Sequence, residues 1–332
     1  MAINIARRKF IAALGGAAVA WPRAGRAQQP TLPVVAFINA GSADGSATRG
    51  AAFRKGLGET GYVEGQNTTV EYHWLEGHYD GLPALVADLV HRQVAVIAAP
   101  ASTLAARAAK AATATIPIVF GTGEDPVQLG LVSSLARPGG NATGINFLTT
   151  EVTTKEVRLL HDLVPKAVRI AVLINPANPA TAIPTIRDVQ DAATNIGLQI
   201  QIRNATTIGE IDAAFAALAL ERPDALFVAP DSFFFSRRVQ LVTLTAVNKI
   251  PATYWESDIV AAGGLMSYGS DLAEAFRQVG VYTGKILKGA KPADLPVQQV
   301  TKFEFAINLH TARTLGIEVR PDVLSIADEV IE

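Results

Sequence analysis

Cysteine is absent from the 332-residue chain. Its absence excludes disulfides, thiolate nucleophiles and Cys-ligated zinc or iron–sulfur sites, and it leaves no thiol to carry a lipid. Charge is also sparse, with 18% of residues charged and a formal net charge of -1. A balance so close to zero gives no sign of the basic surface that holds nucleic acid. Acid is missing altogether from the first 43 residues, which carry five cations, Arg7, Arg8, Lys9, Arg23 and Arg26, before the first carboxylate at Asp44. What the chain does have is apolar content. At 49% hydrophobic it can bury a large core without cross-links, and its length fits two domains.

The cationic start reads as an export address. Arg7, Arg8 and Lys9 precede an apolar stretch over residues 10–21, then Pro22 and the small-residue run Ala24-Gly25-Arg26-Ala27. This is the order of charged, apolar and cleavage regions in a secretory signal. As a helix the apolar stretch reaches about 18 Å, short of the roughly 30 Å hydrocarbon core, so a cleaved signal over residues 1–27 is expected rather than a permanent anchor. The paired arginines followed by Lys9, Phe10 and Ile11 resemble a twin-arginine signal; the general secretory route stays open. Removing residues 1–27 takes five of the 29 cations and none of the 30 acids, leaving a net charge of -6. The expected product is a periplasmic, moderately acidic, monomeric protein.

Beyond residue 33 short β-rich runs alternate with helical patterns, the mark of a parallel α/β architecture. Strands are expected over residues 34–39, 68–74, 95–99, 116–120 and 143–147, and again over 169–175, 198–203, 225–229, 252–255 and 265–268. Helices are expected over 48–60, 82–92, 103–112, 181–195 and 233–248. The two strand sets look duplicated. Ile38-Asn39 recurs as Ile174-Asn175, Ala99-Pro100 as Ala229-Pro230, Ile116-Pro117 as Ile250-Pro251, and Gly139-Gly140 as Gly263-Gly264, in the same order. The duplication implies two similar lobes, and ligands of open parallel sheets bind beyond the carboxyl ends of the strands.

That rule selects the candidate site residues. From the first lobe come Asn39, Ser42, Ser102, Thr103, Thr122, Glu124 and Asp125; from the second, Asn175, Asn178, Asp231, Ser232, Tyr254, Trp255 and Tyr268. Ser102 and Thr103 open a helical stretch whose N–H groups and dipole suit a carboxylate, or they are a plain N-cap. Glu124 and Asp125 suit an ammonium group, or Asp125 only caps a helix beginning after it; Asp231 and Ser232 carry the same ambiguity. Asn175 and Asn178 sit in a rigid Asn-Pro-Ala-Asn-Pro turn with amides that donate and accept. Tyr254, Trp255 and Tyr268 are apolar walls or interlobe packing. Of Phe233, Phe234 and Phe235, at least one ring is expected to face the cleft or the surface, because one helix face cannot hold three adjacent rings.

Three other patterns carry little. Gly56 to Gly61 spells a dinucleotide fingerprint but closes a helix instead of opening one, and the segment 280–285 falls one residue short of a phosphate loop. Glu71, His73, Glu76, His78 and Asp80 cluster in sequence, yet no third His or Cys ligand lies nearby and a solvated edge strand running into a loop explains them better than a metal site does. No metal and no cofactor are expected. An enzyme reading would rest on Glu124 and Asp231 as a carboxylate pair across the cleft.

Several motifs together resemble a known family: Gly61-Tyr62-Val63-Glu64-Gly65-Gln66-Asn67, Ile116-Pro117-Ile118-Val119-Phe120, Asp125-Pro126-Val127, Arg137-Pro138-Gly139-Gly140-Asn141-Ala142-Thr143-Gly144 and Ile307-Asn308. They are similar to the ABC-transporter substrate-binding proteins, the family that includes the tryptophan/phenylalanine binders. The resemblance implies a type I periplasmic-binding-protein fold, with two doubly wound parallel-sheet lobes joined by three hinge crossovers. Lobe 1 would comprise residues 33–147 and 271–300, and lobe 2 residues 148–270 and 301–332. It also implies a non-catalytic receptor for a small solute, such as an amino acid or aromatic acid, which hands its ligand to an inner-membrane ABC permease driven by a separate ATPase.

Overall fold

Near-continuous apolar runs such as Val34-Val35-Ala36-Phe37-Ile38 suit strands covered on both faces. The computed structural model describes residues 32–332 and buries them so. The expected export signal lies outside the described residues. The first half contains β1 (Val34–Asn39), α1 (Ala47–Glu59), β2 (Thr69–Trp74), α2 (Leu82–His91), β3 (Val96–Ala99), α3 (Thr103–Ala112), β4 (Ile118–Thr122) and β5 (Ala142–Asn146). Next come α4 (Thr149–Leu163), β6 (Arg169–Ile174), α5 (Pro179–Ile196), β7 (Gln199–Asn204), α6 (Ile208–Glu221) and β8 (Ala225–Val228). The second half ends with α7 (Ser232–Ser236), α8 (Arg238–Asn248), β9 (Ala252–Tyr254), α9 (Ser257–Ala261) and β10 (Met266–Ser270). The C-terminal part adds α10 (Leu272–Leu287), β11 (Gln298–Gln299), β12 (Phe303–Asn308), α11 (Leu309–Leu315), α12 (Pro321–Leu324) and β13 (Glu329–Ile331).

Two sheets result, ordered β11-β5-β4-β3-β1-β2 and β13-β12-β10-β9-β8-β6-β7. All pairings are parallel except β10 with β12. Each lobe is doubly wound, and the fold is the type I periplasmic-binding-protein fold. The order β2-β1-β3-β4-β5 in one sheet repeats as β7-β6-β8-β9-β10 in the other, so the sequence duplication is a duplication of topology. It reaches side-chain detail: Asn39 Oδ1 accepts the N–H of Gly41 at 2.8 Å, and Asn175 Oδ1 accepts that of Ala177 at 3.0 Å. Both are Asx turns that swing the chain away from the end of the first strand.

The chain passes between the sheets three times, after β5, between β10 and α10, and between β11 and β12. The passages lie side by side. Ser270 Oγ donates to the Phe147 carbonyl at 2.6 Å, the Asp271 N–H to the Lys302 carbonyl at 3.3 Å, and the Val300 N–H to the Asn146 carbonyl at 2.9 Å.

Three strands, β11, β12 and β13, add to the ten expected, and one expected helix is divided. The helix anticipated over residues 233–248 is two helices, because α7 ends at Ser236 and the chain turns at Arg237 before α8. Phe233, Phe234 and Phe235 all join the core of the second lobe, at 8%, 0% and 3% exposure, and Phe235 is the ring that also faces the cleft.

Candidate ligand-binding cavity

The carboxyl ends of β1, β3 and β4 in one lobe and of β8 and β9 in the other surround a cavity enclosing about 840 Å³, part of it continuous with solvent. Eight of the residues selected from sequence line it: Ser102, Thr103, Thr122, Glu124, Asn178, Asp231, Ser232 and Trp255.

Glu124 is the hub of the first-lobe wall. Its Oε2 accepts the Thr103 hydroxyl at 2.7 Å and the Thr122 hydroxyl at 2.5 Å, and its Oε1 accepts Thr181 from the opposite lobe at 2.8 Å. Ser102 stands at the N-cap of α3 without making a side-chain cap bond. Its hydroxyl is buried and has no partner, so the capping role open to it in sequence is not realised here. The first N–H groups of a helix lack intrahelical partners, and α3 presents them beside that hydroxyl.

The second-lobe wall is built on Asp231. Its Oδ1 accepts Asn175 Nδ2 at 3.0 Å and the Phe233 N–H at 2.9 Å, while Oδ2 accepts Asn178 Nδ2 at 3.1 Å. Burial pushes its carboxyl above the ordinary range, against the lowering effect of those donors. Asn178 keeps its Oδ1 buried and unpartnered. Trp255 is held against β10 by Gly269, where a Cβ would collide with the Trp255 carbonyl oxygen.

Six of the expected residues lie off this cavity. Asn39 is fully buried and donates to the Pro100 carbonyl at 2.9 Å, so it braces two cleft loops against each other. Asn175 holds Asp231 from behind. Ser42 lines a separate groove and accepts the Gly45 N–H at 3.2 Å. Asp125 is exposed and accepts the Val127 N–H at 2.8 Å, closing a turn over Pro126. Tyr254 is wholly buried in the second-lobe core, its hydroxyl 3.2 Å from that of Thr245. Tyr268 stacks on Phe303 at 6.1 Å between ring centres. Strand alternation separates Tyr254 and Tyr268 from the cavity: neighbours on a strand face opposite sides, and only Trp255, just past the strand end, turns inward.

Among the lining residues that escaped the sequence reading are Arg49, Tyr79 and Thr181, whereas Phe235 supplies the cleft-facing ring expected of the Phe233–Phe235 run. Arg49 is buried on α1 with Phe53 four residues on. A cation on the apolar face of an amphipathic helix is a signal the sequence offered. The guanidinium pairs with Glu256 of the other lobe and lies over the Phe235 ring, 3.9 Å from its centre, while Nε has no partner. Tyr79 comes from the loop after β2 and carries no such signal. Its hydroxyl is buried and unpartnered, and burial, with Asp231 nearby, raises its pKa.

The cavity therefore gathers three buried, uncommitted polar atoms, Tyr79 OH, Ser102 Oγ and Asn178 Oδ1, inside walls that include Leu104, Phe147, Val152, Phe235, Trp255 and Leu272. Buried polar groups are normally satisfied. Such a set matches a small ligand with a polar end and an apolar body. Elsewhere, among the described residues, no group of three or more His, Asp or Glu side chains is placed to hold a metal, and no helix is long and apolar enough to cross a membrane.

Fold and cavity together define a two-lobed substrate-binding protein. The chain belongs to the ABC transporter substrate binding protein family, which it matches over residues 32–331. It is 28% identical over 267 residues to a tyrosine-binding protein of Clostridioides difficile strain R20291, covering 80% of this chain and 76% of that one. Among solved structures, a conserved domain protein from Vibrio cholerae superposes with a TM-score of 0.81 at 27% identity, covering 90% of this chain and 99% of that chain. An ABC domain from Streptococcus pneumonia in complex with L-Trp superposes at 0.77 with 26% identity, covering 91% and 100%.

Proposed function

We propose that this receptor binds an α-amino acid with an apolar, aromatic-sized side chain in the periplasm and delivers it to an ABC importer. The observation that carries the reading is the set of three unpartnered buried polar atoms, Tyr79 OH, Ser102 Oγ and Asn178 Oδ1, facing apolar walls in one interlobe cavity. Charge narrows the ligand. Glu124 and Asp231 both line the cavity, and the one cation lining it among the described residues, Arg49, is engaged by Glu256. A ligand bearing only a carboxylate would meet net negative charge, whereas a zwitterion offers an ammonium group to the acids. Its carboxylate would take the Ser102 hydroxyl and the N-terminus of α3. Relatives that bind tyrosine and L-Trp support an aromatic body.

Both lobes contribute ligand contacts in this scheme, so ligand binding favours the closed arrangement and shifts an opening equilibrium about the three passages. The cationic, apolar start of the chain supports export with a twin-arginine pattern; the exported receptor then acts as a soluble monomer. A permease that reads both lobes at once would take ligand from the closed form, with ATP hydrolysis supplied by a separate subunit.

Calorimetric titration tests the reading. L-Tyr, L-Trp and L-Phe are expected to bind, while 3-phenylpropionate, which lacks the ammonium, and phenethylamine, which lacks the carboxylate, are expected to bind far more weakly. Equal binding of 3-phenylpropionate, or none by any amino acid, would sink it.

A further inference from the structure

The lobes touch each other through their own side chains as well as around the cavity. Arg49 projects from α1 of the first lobe and ends on two groups of the second, Glu256 and the face of Phe235. All three are secluded: the Arg49 and Glu256 side chains are 7% and 13% exposed, and the Phe235 residue is 3% exposed. Phe235 is further pinned by Arg238, whose guanidinium lies 4.7 Å from the ring centre on its own lobe. Arg49 also stands between two spaces. With Trp255, Gly269, Ser270 and Leu272 it lines both the main cavity and a smaller outer pocket that contains Glu256 and Asp271.

We propose that Arg49 is a positioning residue that clasps the two lobes together, setting how far the receptor is biased toward closure before any ligand contact is counted. The proposal rests on the reading that the protein is a two-lobed receptor that opens and closes. Its chemistry is that of a buried pair. Opening the cleft parts Arg49 from Glu256 and from the ring, and each charge must then be hydrated separately; closing restores a charge-assisted bond and a cation–π contact in a site shielded from water. A clasp of this kind acts on every ligand alike, because apparent affinity scales with the fraction of receptor in the competent state. It therefore changes affinity without changing selectivity. The other charged groups facing Glu256 are Asp258 and Arg238, both on the second lobe, so neither can substitute for Arg49 across the cleft.

The test compares the wild-type protein with Arg49→Met, Glu256→Gln and the double variant. Small-angle scattering of the ligand-free proteins is expected to show a more compact wild type, and all three variants shifted toward the open form. Affinities for L-Tyr, L-Trp and L-Phe are expected to fall by one common factor, on the order of 10-fold, with the double variant no worse than the singles. Unchanged scattering in properly folded variants, or losses that differ from one amino acid to the next, would overturn the clasp. Arg49→Met keeps an apolar stem for packing, and Glu256→Gln keeps the side-chain volume; if one fails to fold, the other carries the comparison. Scattering needs no ligand, so a wild type that binds no amino acid would refute the proposed ligand class and leave this measurement intact.

Discussion

Thr181, in the first turn of α5, donates its hydroxyl to Glu124 Oε1 across the cavity at 2.8 Å, joining the second lobe to the first. The same carboxylate takes Thr103 and Thr122 from its own lobe. Thr181→Val keeps the shape and removes only the donor. A hydrogen bond to a charged acceptor is worth about 1.5–3 kcal/mol, so roughly 10- to 150-fold weaker amino-acid binding is expected with little change in the ligand-free melting temperature. Calorimetry and a thermal melt of the same sample check both halves.

Ser102 gives a sharper separation of binding from folding. Its hydroxyl neither caps α3 nor finds another partner, so Ser102→Ala removes an unsatisfied group from the ligand-free protein. Thermal stability should hold or rise slightly. Affinity should fall about 10-fold, the usual consequence of deleting one ligand hydrogen bond. A marked loss of stability would return Ser102 to the role of an ordinary cap.

Tyr79→Phe applies the same logic from the opposite side of the cavity. The phenol oxygen is buried beside Asp231 without a hydrogen bond. Removing it is expected to leave the ligand-free fold unharmed and to weaken the amino acid whose polar atoms reach it. An affinity unchanged for every ligand tested would remove Tyr79 from the site.

Tyr254 is the contrasting case. It lies in the core of the second lobe with its hydroxyl near Thr245, so Tyr254→Phe should cost about 1 kcal/mol of stability and leave affinity alone. Urea denaturation combined with calorimetry distinguishes this from a ligand-contact role.

Stability should also carry a pH signature from Glu156. The residue is fully buried on α4, and its Oε1 accepts the Thr253 hydroxyl at 2.9 Å. Burial holds its pKa well above the ordinary value. A carboxyl whose folded pKa is raised binds its proton more tightly in the folded chain. Its contribution is therefore complete below the unfolded pKa, near 4.3, and is lost as pH rises through the folded pKa, at up to about 1.4 kcal/mol per pH unit. Glu156→Gln should remove that decline, making the variant more stable than wild type at neutral pH and not at pH 4. Denaturation curves across that range measure the difference, and parallel profiles would refute it.

Strand positions were legible because two-sided burial demands unbroken apolar runs, and the duplicated motifs mark equivalent strand ends in both lobes. Ser102, Glu124 and Asp231 were legible for the same reason: a ligand in an open parallel sheet sits beyond the strand ends, and these polar residues come directly after β3, β4 and β8. Tyr254 and Tyr268 were misplaced because residue type alone does not say which face of a strand an aromatic takes. Arg49, Tyr79 and Thr181 reach the cavity from a helix face, a loop and the first turn of a helix, and distance along the chain gives no measure of that convergence.

The export-like start, the absence of any thiol, the doubled α/β pattern and the family motifs are properties of local order, and the sequence alone determined them. Which polar groups are left unsatisfied, and which pair of charges meets across the cleft, depends on how two separately wound sheets face each other. Arg49 and Glu256 are 207 residues apart in the chain. Only the tertiary structure brings them together, because their pairing arises when two lobes exclude water from the space between them.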